Sequence, residues 1–210
     1  QILAKEAIRA KSEEVIMENK LQWQKILLDA LNTSDKSSQQ VINDVIAQVG
    51  EVLNADVAAL YVKDKQGDLD CQYIWSKNQS MSAEEYVTEW QRANMKFRSW
   101  QNGQGSGKLV DKGYLVIDAK HMDEAAKKIM SGGPVKSFTA VPVYVNGNYG
   151  AVFVLANTSI NKLWTTEEIE FVKQTGDVLR SALEKIESDD SVKRINSVLL
   201  DTYNYIDEGI

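Results

Sequence analysis

Cysteine, histidine and proline are nearly missing from this sequence. Cys71 is the only cysteine in 210 residues, which excludes an intramolecular disulfide and any zinc or iron–sulfur site built from several thiolates. His121 is the only histidine, and no Ser/His/Asp arrangement, carboxylate pair or metal-spaced histidine set stands out, so catalysis is not expected of this stretch of chain. No apolar run approaches the roughly 20 residues that span a bilayer, and the N-terminus has no signal-peptide core. Nor is there an excess of positive charge. The 24 basic against 30 acidic residues give a net charge of −6, which argues against an overall attraction to nucleic acid or an anionic membrane surface. The cytoplasm is the natural compartment for such a chain. It reads as a piece of a longer protein, because no Met precedes Gln1 and Tyr205 to Ile210 stop in mid-pattern; a membrane anchor elsewhere in that protein stays open.

What is present suffices for one globular domain. Apolar residues make up 43% and charged residues 26% of the sequence, the balance of a core of about 150 residues with extensions. Ile2 to Leu31 hold neither Gly nor Pro and place Ile8, Val15, Ile16, Trp23, Ile26, Leu27 and Ala30 at helical spacing, so residues 1–33 are expected to form an amphipathic linker helix. A second helix follows with Val41, Ile42, Val45, Ile46, Val49 and Leu53 inward, and Ser34 or Asp35 is the expected N-cap.

Ala55–Val62 and Leu69–Trp75 read as two strands joined by a polar turn ending in Gly67-Asp68. Ser82-Ala83-Glu84-Glu85 opens a short helix, and from Phe97 to Ile117 four glycines break the pattern into a strand or two and a loop. Asp118 to Met130 reads as a short helix closed by Ser131-Gly132-Gly133-Pro134. Ser137 to Asn157 hold two apolar runs folded back around Asn146-Gly147, the pair that most readily takes positive φ. Pro142 has no amide for the ladder, so a bulge or an edge is expected there. Thr165 and Glu168 stand at capping-box spacing before a long helix whose apolar phase is interrupted at Ser188 to Ser191, read as a stutter, a kink or a helix end.

In this order, and through Phe138-Thr139-Ala140-Val141-Pro142-Val143, Gly150 to Asn157 and Trp164 to Glu168, the chain resembles a GAF domain over residues 34–187. The resemblance implies an α+β, PAS-related fold with an antiparallel sheet, helices packed on one face and a ligand pocket on the other. It also implies a place in a multidomain signalling protein, such as a sensor histidine kinase or diguanylate cyclase, with terminal helices paired across a homodimer. Residues 188–210 would then be a linker helix into a downstream domain. Ile195 to Ile210 further resemble the opening of a PAS domain.

Some members of this family attach a bilin to cysteine, but Cys71 lies within a strand and away from His121, and a small packed side chain is the simpler reading. The lone thiol also leaves no resolving partner for reduction of methionine sulfoxide. His121 has no second ligand beside it for haem, so neither bilin nor haem is expected. Asn161-Lys162, Trp164 and Glu167-Glu168 echo, imperfectly, the pattern of cyclic-nucleotide-binding relatives, and helix capping accounts for the last of these without a nucleotide. Gly103, Gly105, Gly107 and Lys108 lack the context of a phosphate loop. Between Arg92 and Lys136, nine basic against four acidic residues give a local +5, which points to an anionic ligand. Tyr61, Tyr73, Trp75, Phe97, Trp100 and Tyr114 are the aromatic candidates to line its site, with His121 and Lys108 beside them. Strand alternation is expected to put Tyr61, Tyr73 and Trp75 on a single face.

Overall fold

A computed structural model describes residues 2–77, 109, 111–121 and 135–207. Helix α1 spans Ile2–Leu31 and α2 spans Ser38–Val52. Among the described residues five strands follow, β1 (Val57–Lys63), β2 (Leu69–Ser76), β3 (Leu115–Ile117), β4 (Ser137–Val145) and β5 (Asn148–Asn157), and helix α3 runs from Thr166 to Asp207. The strands form one antiparallel sheet in the order β2-β1-β5-β4-β3. The helix expected from Ser82 and residues 122–130 of the one expected from Asp118 lie outside the described residues; residues 118–121 form a turn instead of a helical start, because the Asp118 carboxylate accepts from the Lys120 and His121 amides.

Local chemistry accounts for most boundaries. The N-cap of α2 is Ser37, not Ser34 or Asp35, because Gln40 three residues on completes a reciprocal box: the Ser37 hydroxyl accepts from the Gln40 amide at 3.2 Å and the Ser37 amide donates to Gln40 Oε1 at 2.9 Å. Thr165 and Glu168 form the same box ahead of α3, at 3.2 and 2.9 Å. Asn146 and Gly147 both take positive φ, 50° and 79°, as a primed hairpin turn requires. Pro142 meets the edge condition and stands beside a bulge, not in one. β3 pairs only with Phe138 to Ala140, so Pro142 lies past its end, and a register irregularity follows one residue later at Val143/Tyr144.

The helices cover one face of the sheet. Ile42, Val45, Ile46 and Val49 of α2 and Phe171, Val172, Leu179 and Leu183 of α3 pack with Leu60, Val141, Val143, Phe153 and Leu155 into one core. Gly50 is buried where α2 meets β2, and Gly176 of α3 stands against Val141 of β4. α1 lies outside this layer, held by Ile26 and Leu27 and by Trp23, which stacks on Phe171 with ring centroids 5.0 Å apart. Val15 and Ile16, expected inward, are exposed instead. They sit more than a turn before Trp23, and the buried stripe of α1 among the described side chains starts at Trp23. α3 passes through Ser188 to Ser191 without ending. That stretch has no Gly or Pro, and the Ser191 hydroxyl donates back to the Glu187 carbonyl at 2.8 Å, a bond made inside a helix.

Candidate functional site

The sheet has a second buried face, turned away from the helices. Val57, Phe138, Ala140, Val152, Val154 and Ala156 form it with Leu109, Ile117 and Val135, and Tyr61, Leu69, Ile74, Leu115 and Tyr149 pack around it. Its centre is a floor of buried alanine and valine, and the aromatic residues Tyr61 and Tyr149 stand toward one end.

Tyr61 is therefore separated from Tyr73 and Trp75, which pack into the helix-side core together with Tyr114. The expectation of a single face is corrected by one residue. Next to the turn, Tyr61 pairs with Cys71 and Lys63 with Leu69; continued unbroken, that register would set Tyr73 against Ala59 and Trp75 against Val57, on the face of Tyr61. An irregularity at Leu60/Tyr61 skips Gln72, so Tyr73 pairs with Leu60 and Trp75 with Ala58. A single extra residue in one strand turns every later side chain to the other face. The helix-side aromatics have partners there: Trp75 fills the space beside Gly50, and the Lys173 ammonium lies 4.8 Å from the centre of the Tyr114 ring. Phe97, Trp100 and Lys108 lie outside the described residues, as does most of the basic stretch. Of that stretch, Lys136 donates to the Ser159 carbonyl at 2.9 Å.

Cys71 faces the same side as Tyr61, whose side chain hydrogen-bonds it. Burial and the neighbouring Asp70 carboxylate push the Cys71 thiol up to about 11, which keeps it neutral and a poor nucleophile at ordinary pH. Burial likewise pushes the Tyr149 hydroxyl up, to about 12.

His121 is half-exposed at the end of β3 and joined to Asp118, whose side chain is fully buried: Nδ1 lies 2.8 Å from Asp118 Oδ1. The same carboxylate accepts from the amides of Lys120 and His121, both at 2.9 Å, and from the Trp164 amide at 3.3 Å. Burial alone would raise the Asp118 carboxyl, but the bonds from His121, Trp164 and Lys120 outweigh it and hold the group below its ordinary value. Asp118 thus ties the end of β3 to the approach to α3, and it holds the ring that sequence reasoning singled out. Asp56 does the same for the start of β1, accepting from the amides and hydroxyls of both Thr158 and Ser159. The signal for either carboxylate was a lone Asp beside a strand end, too common to single out.

Lys162 of the nucleotide-like echo is on the framework side. Its ammonium donates to the Leu53 carbonyl at the end of α2, pairs with Glu168 at 2.8 Å and lies 4.4 Å from the centre of the Trp164 ring. Asn161 accepts from the Ala119 amide at 3.2 Å. Lys162 joins its loop to the ends of α2 and α3, and Asn161 joins the same loop to the turn after β3.

A two-faced sheet of this order, with α2 and α3 on one side and a small-residue floor on the other, carries the assignment, and the family comparison agrees over residues 37–183. The chain belongs to the GAF domain family. Among solved structures it is similar to the phycocyanobilin-bound GAF domain from a cyanobacterial phytochrome, at 13% identity and a TM-score of 0.60 over 80% of this chain and 94% of that one. It is also similar to the GAF domain from a phosphoenolpyruvate-protein phosphotransferase of Coxiella burnetii, at 15% identity and 0.57 over 83% and 98%. A third is the GAF domain of a putative sensor histidine kinase from Pseudomonas syringae pv. tomato, at 12% and 0.57 over 86% and 99%. At these identities the likeness is one of fold. No curated protein matches the chain. The GAF assignment makes this a signalling, small-molecule-sensing type of domain. Among the described residues no helix is long and apolar enough to cross a membrane, and no acidic, histidine and cysteine cluster fits a metal ion.

Proposed function

We propose that this GAF domain is a non-catalytic sensory module of a cytoplasmic signal-transduction protein of the sensor histidine kinase type. It binds a small anionic molecule on the sheet face turned away from the helices. On this reading Tyr61 flanks the ligand, and Phe97, Trp100, Lys108 and His121 are further candidates to contact it. Neither nucleic acid nor membrane is contacted by this part of the chain. The observation that carries the reading is α3, which leaves the domain after Ile186 and continues helical to Asp207 with every described side chain from Glu187 to Leu200 exposed. A helical arm of this kind has no use within the domain and suits relay to a neighbour.

The relay works through a homodimer. Val192, Ile195 and Leu199 are exposed at i, i+3 and i+7 on α3, and Met17, Leu21, Leu28 and Leu31 form an exposed stripe at heptad spacing on α1. Ligand occupancy then biases two packings of the paired helices, and α3 leads into a PAS domain beyond it. A ligand-free dimerisation module of a diguanylate cyclase or transcriptional regulator is the second reading, favoured by the use of Tyr73, Trp75 and Tyr114 in packing. Native mass spectrometry of the purified protein and calorimetry against anionic metabolites at low salt separate the two. A bound or titrating anion supports sensing, and its absence from both measurements rejects it. The dimer is checked by light scattering of Ile195→Lys/Leu199→Lys, expected to be monomeric.

A further inference from the structure

The turn between β4 and β5 holds α3 at the point where that helix leaves the domain. The Asn146 amide donates to Glu184 Oε1 at 2.9 Å, and the Asn146 side-chain Nδ2 donates to Glu187 Oε2 at 2.7 Å. Both acceptors lie on one side of α3, three residues apart, and the positive φ of Asn146 and Gly147 fixes the turn that presents both donors. Glu184 and Ile186 are half-buried; from Glu187 to Leu200 every residue is exposed. Earlier in the same helix Gly176 packs on β4, where a Cβ would make ordinary contact with Val141 at 3.4 Å. The β4–β5 hairpin thus grips α3 in its buried half and again at its exit. That same hairpin supplies Phe138, Ala140, Val152 and Val154 to the opposite face of the sheet.

We infer that Asn146 is a clasp that sets how much of α3 is held on the sheet, and that it is the contact through which movement of the β4–β5 hairpin reaches the outgoing helix. Closed, it holds the helix through Glu187. Open, it leaves the turn from Glu184 to Glu187 held by the packing of Ile186 against the helix-side core. Both bonds have a charged acceptor, yet both are exposed to water, so they are strong enough to define a position and weak enough to open without unfolding the domain. The inference rests on the sensory reading and adds to it the place where the signal is handed on.

Hydrogen exchange of the full chain without added ligand tests it, using Asn146→Gly, Glu187→Met and the double variant. Gly keeps the positive φ and the amide donated to Glu184 while removing the side-chain donor. Met matches the helix propensity of Glu and removes the acceptor. Amides 184–191 are expected to exchange about fivefold faster in each single variant, with no further gain in the double, while amides of β4 and of residues 171–179 keep their wild-type rates. Unchanged protection at 184–191 in Glu187→Met, or single effects that multiply in the double, overturns the clasp. Glu187→Met lies on the exposed side of a helix and leaves the hairpin untouched, so folding of the variant is not in question. Because no ligand enters the experiment, a failed clasp leaves the calorimetry standing, and failed calorimetry leaves the exchange result readable.

Discussion

Gly50→Ala sets a helix preference against a packing contact, and the packing contact should win. In the last turn of α2 alanine is favoured over glycine by about 1 kcal/mol. A Cβ at Gly50, however, would lie 2.5 Å from both Cε3 and Cζ3 of Trp75 and 3.2 Å from the Ala58 Cβ. The indole cannot retreat by a simple rotation, since Trp75 is packed against the helix-side core. Overpacking of this kind costs about 1–3 kcal/mol. The net expectation is destabilisation by up to about 2 kcal/mol, a fall in Tm of up to about 4–8 °C for a chain of this size. Urea unfolding followed by circular dichroism measures it. The decisive comparison is the Trp75→Leu background, where the ring atoms are gone and Gly50→Ala should become neutral or stabilising by up to about 1 kcal/mol. If Gly50→Ala stabilises the wild type, or destabilises the Trp75→Leu protein equally, the seating of Trp75 on α2 is wrong, and with it the side of the sheet assigned to Trp75.

Other substitutions probe the joints of the domain. Asp118→Ala leaves the Lys120 and Trp164 amides and the His121 ring without their acceptor, while the His121 amide keeps the Asp118 backbone carbonyl at 3.1 Å, and should cost about 3 kcal/mol by chemical denaturation. Because hydrogen bonds hold the carboxyls of Asp118 and Asp56 below their ordinary value, their contribution is complete above the unfolded pKa of about 4 and is lost as pH falls through the folded one. Tm should therefore drop below about pH 4 in the wild type and drop less steeply in Asp118→Asn. Lys162→Met removes the bond to the Leu53 carbonyl and leaves Glu168 without its cation; a loss of about 1–3 kcal/mol is expected, with Glu168→Gln milder. Phe171→Ala empties the space beneath Trp23 and should cost about 3–4 kcal/mol, with a shift in tryptophan emission if α1 loosens.

How legible the protein was depended on the range of each interaction. The full extent of α1, the Asn146-Gly147 turn, the Thr165–Glu168 box and both hairpins rest on residues at most a few positions apart, and each is readable from them. The N-cap of α2 was misplaced within the same range, because Ser34, Asp35 and Ser37 are all competent caps and the choice fell to Gln40. The inward face of α1 was over-extended because spacing alone cannot say where the neighbouring helices begin to cover it; Val15 and Ile16 have helical phase and are exposed. The aromatic site was the least legible part, since its facing depends on whether Gln72 counts in the ladder.

By itself the sequence determined the kind of part this is. The order of elements, the hairpin at Asn146-Gly147 and the capped helix behind it identify a GAF domain, because turn chemistry, periodicity and capping act within a turn or two of the chain. Only the tertiary structure decided which side each aromatic faces, that Lys162 and Asp118 bind the framework together, and that Asn146 reaches Glu184 and Glu187, some forty residues away. Those outcomes follow from strand register and from the docking of α3 on the sheet. One skipped residue reverses a strand's faces, and no local preference of Gln72 announces the skip.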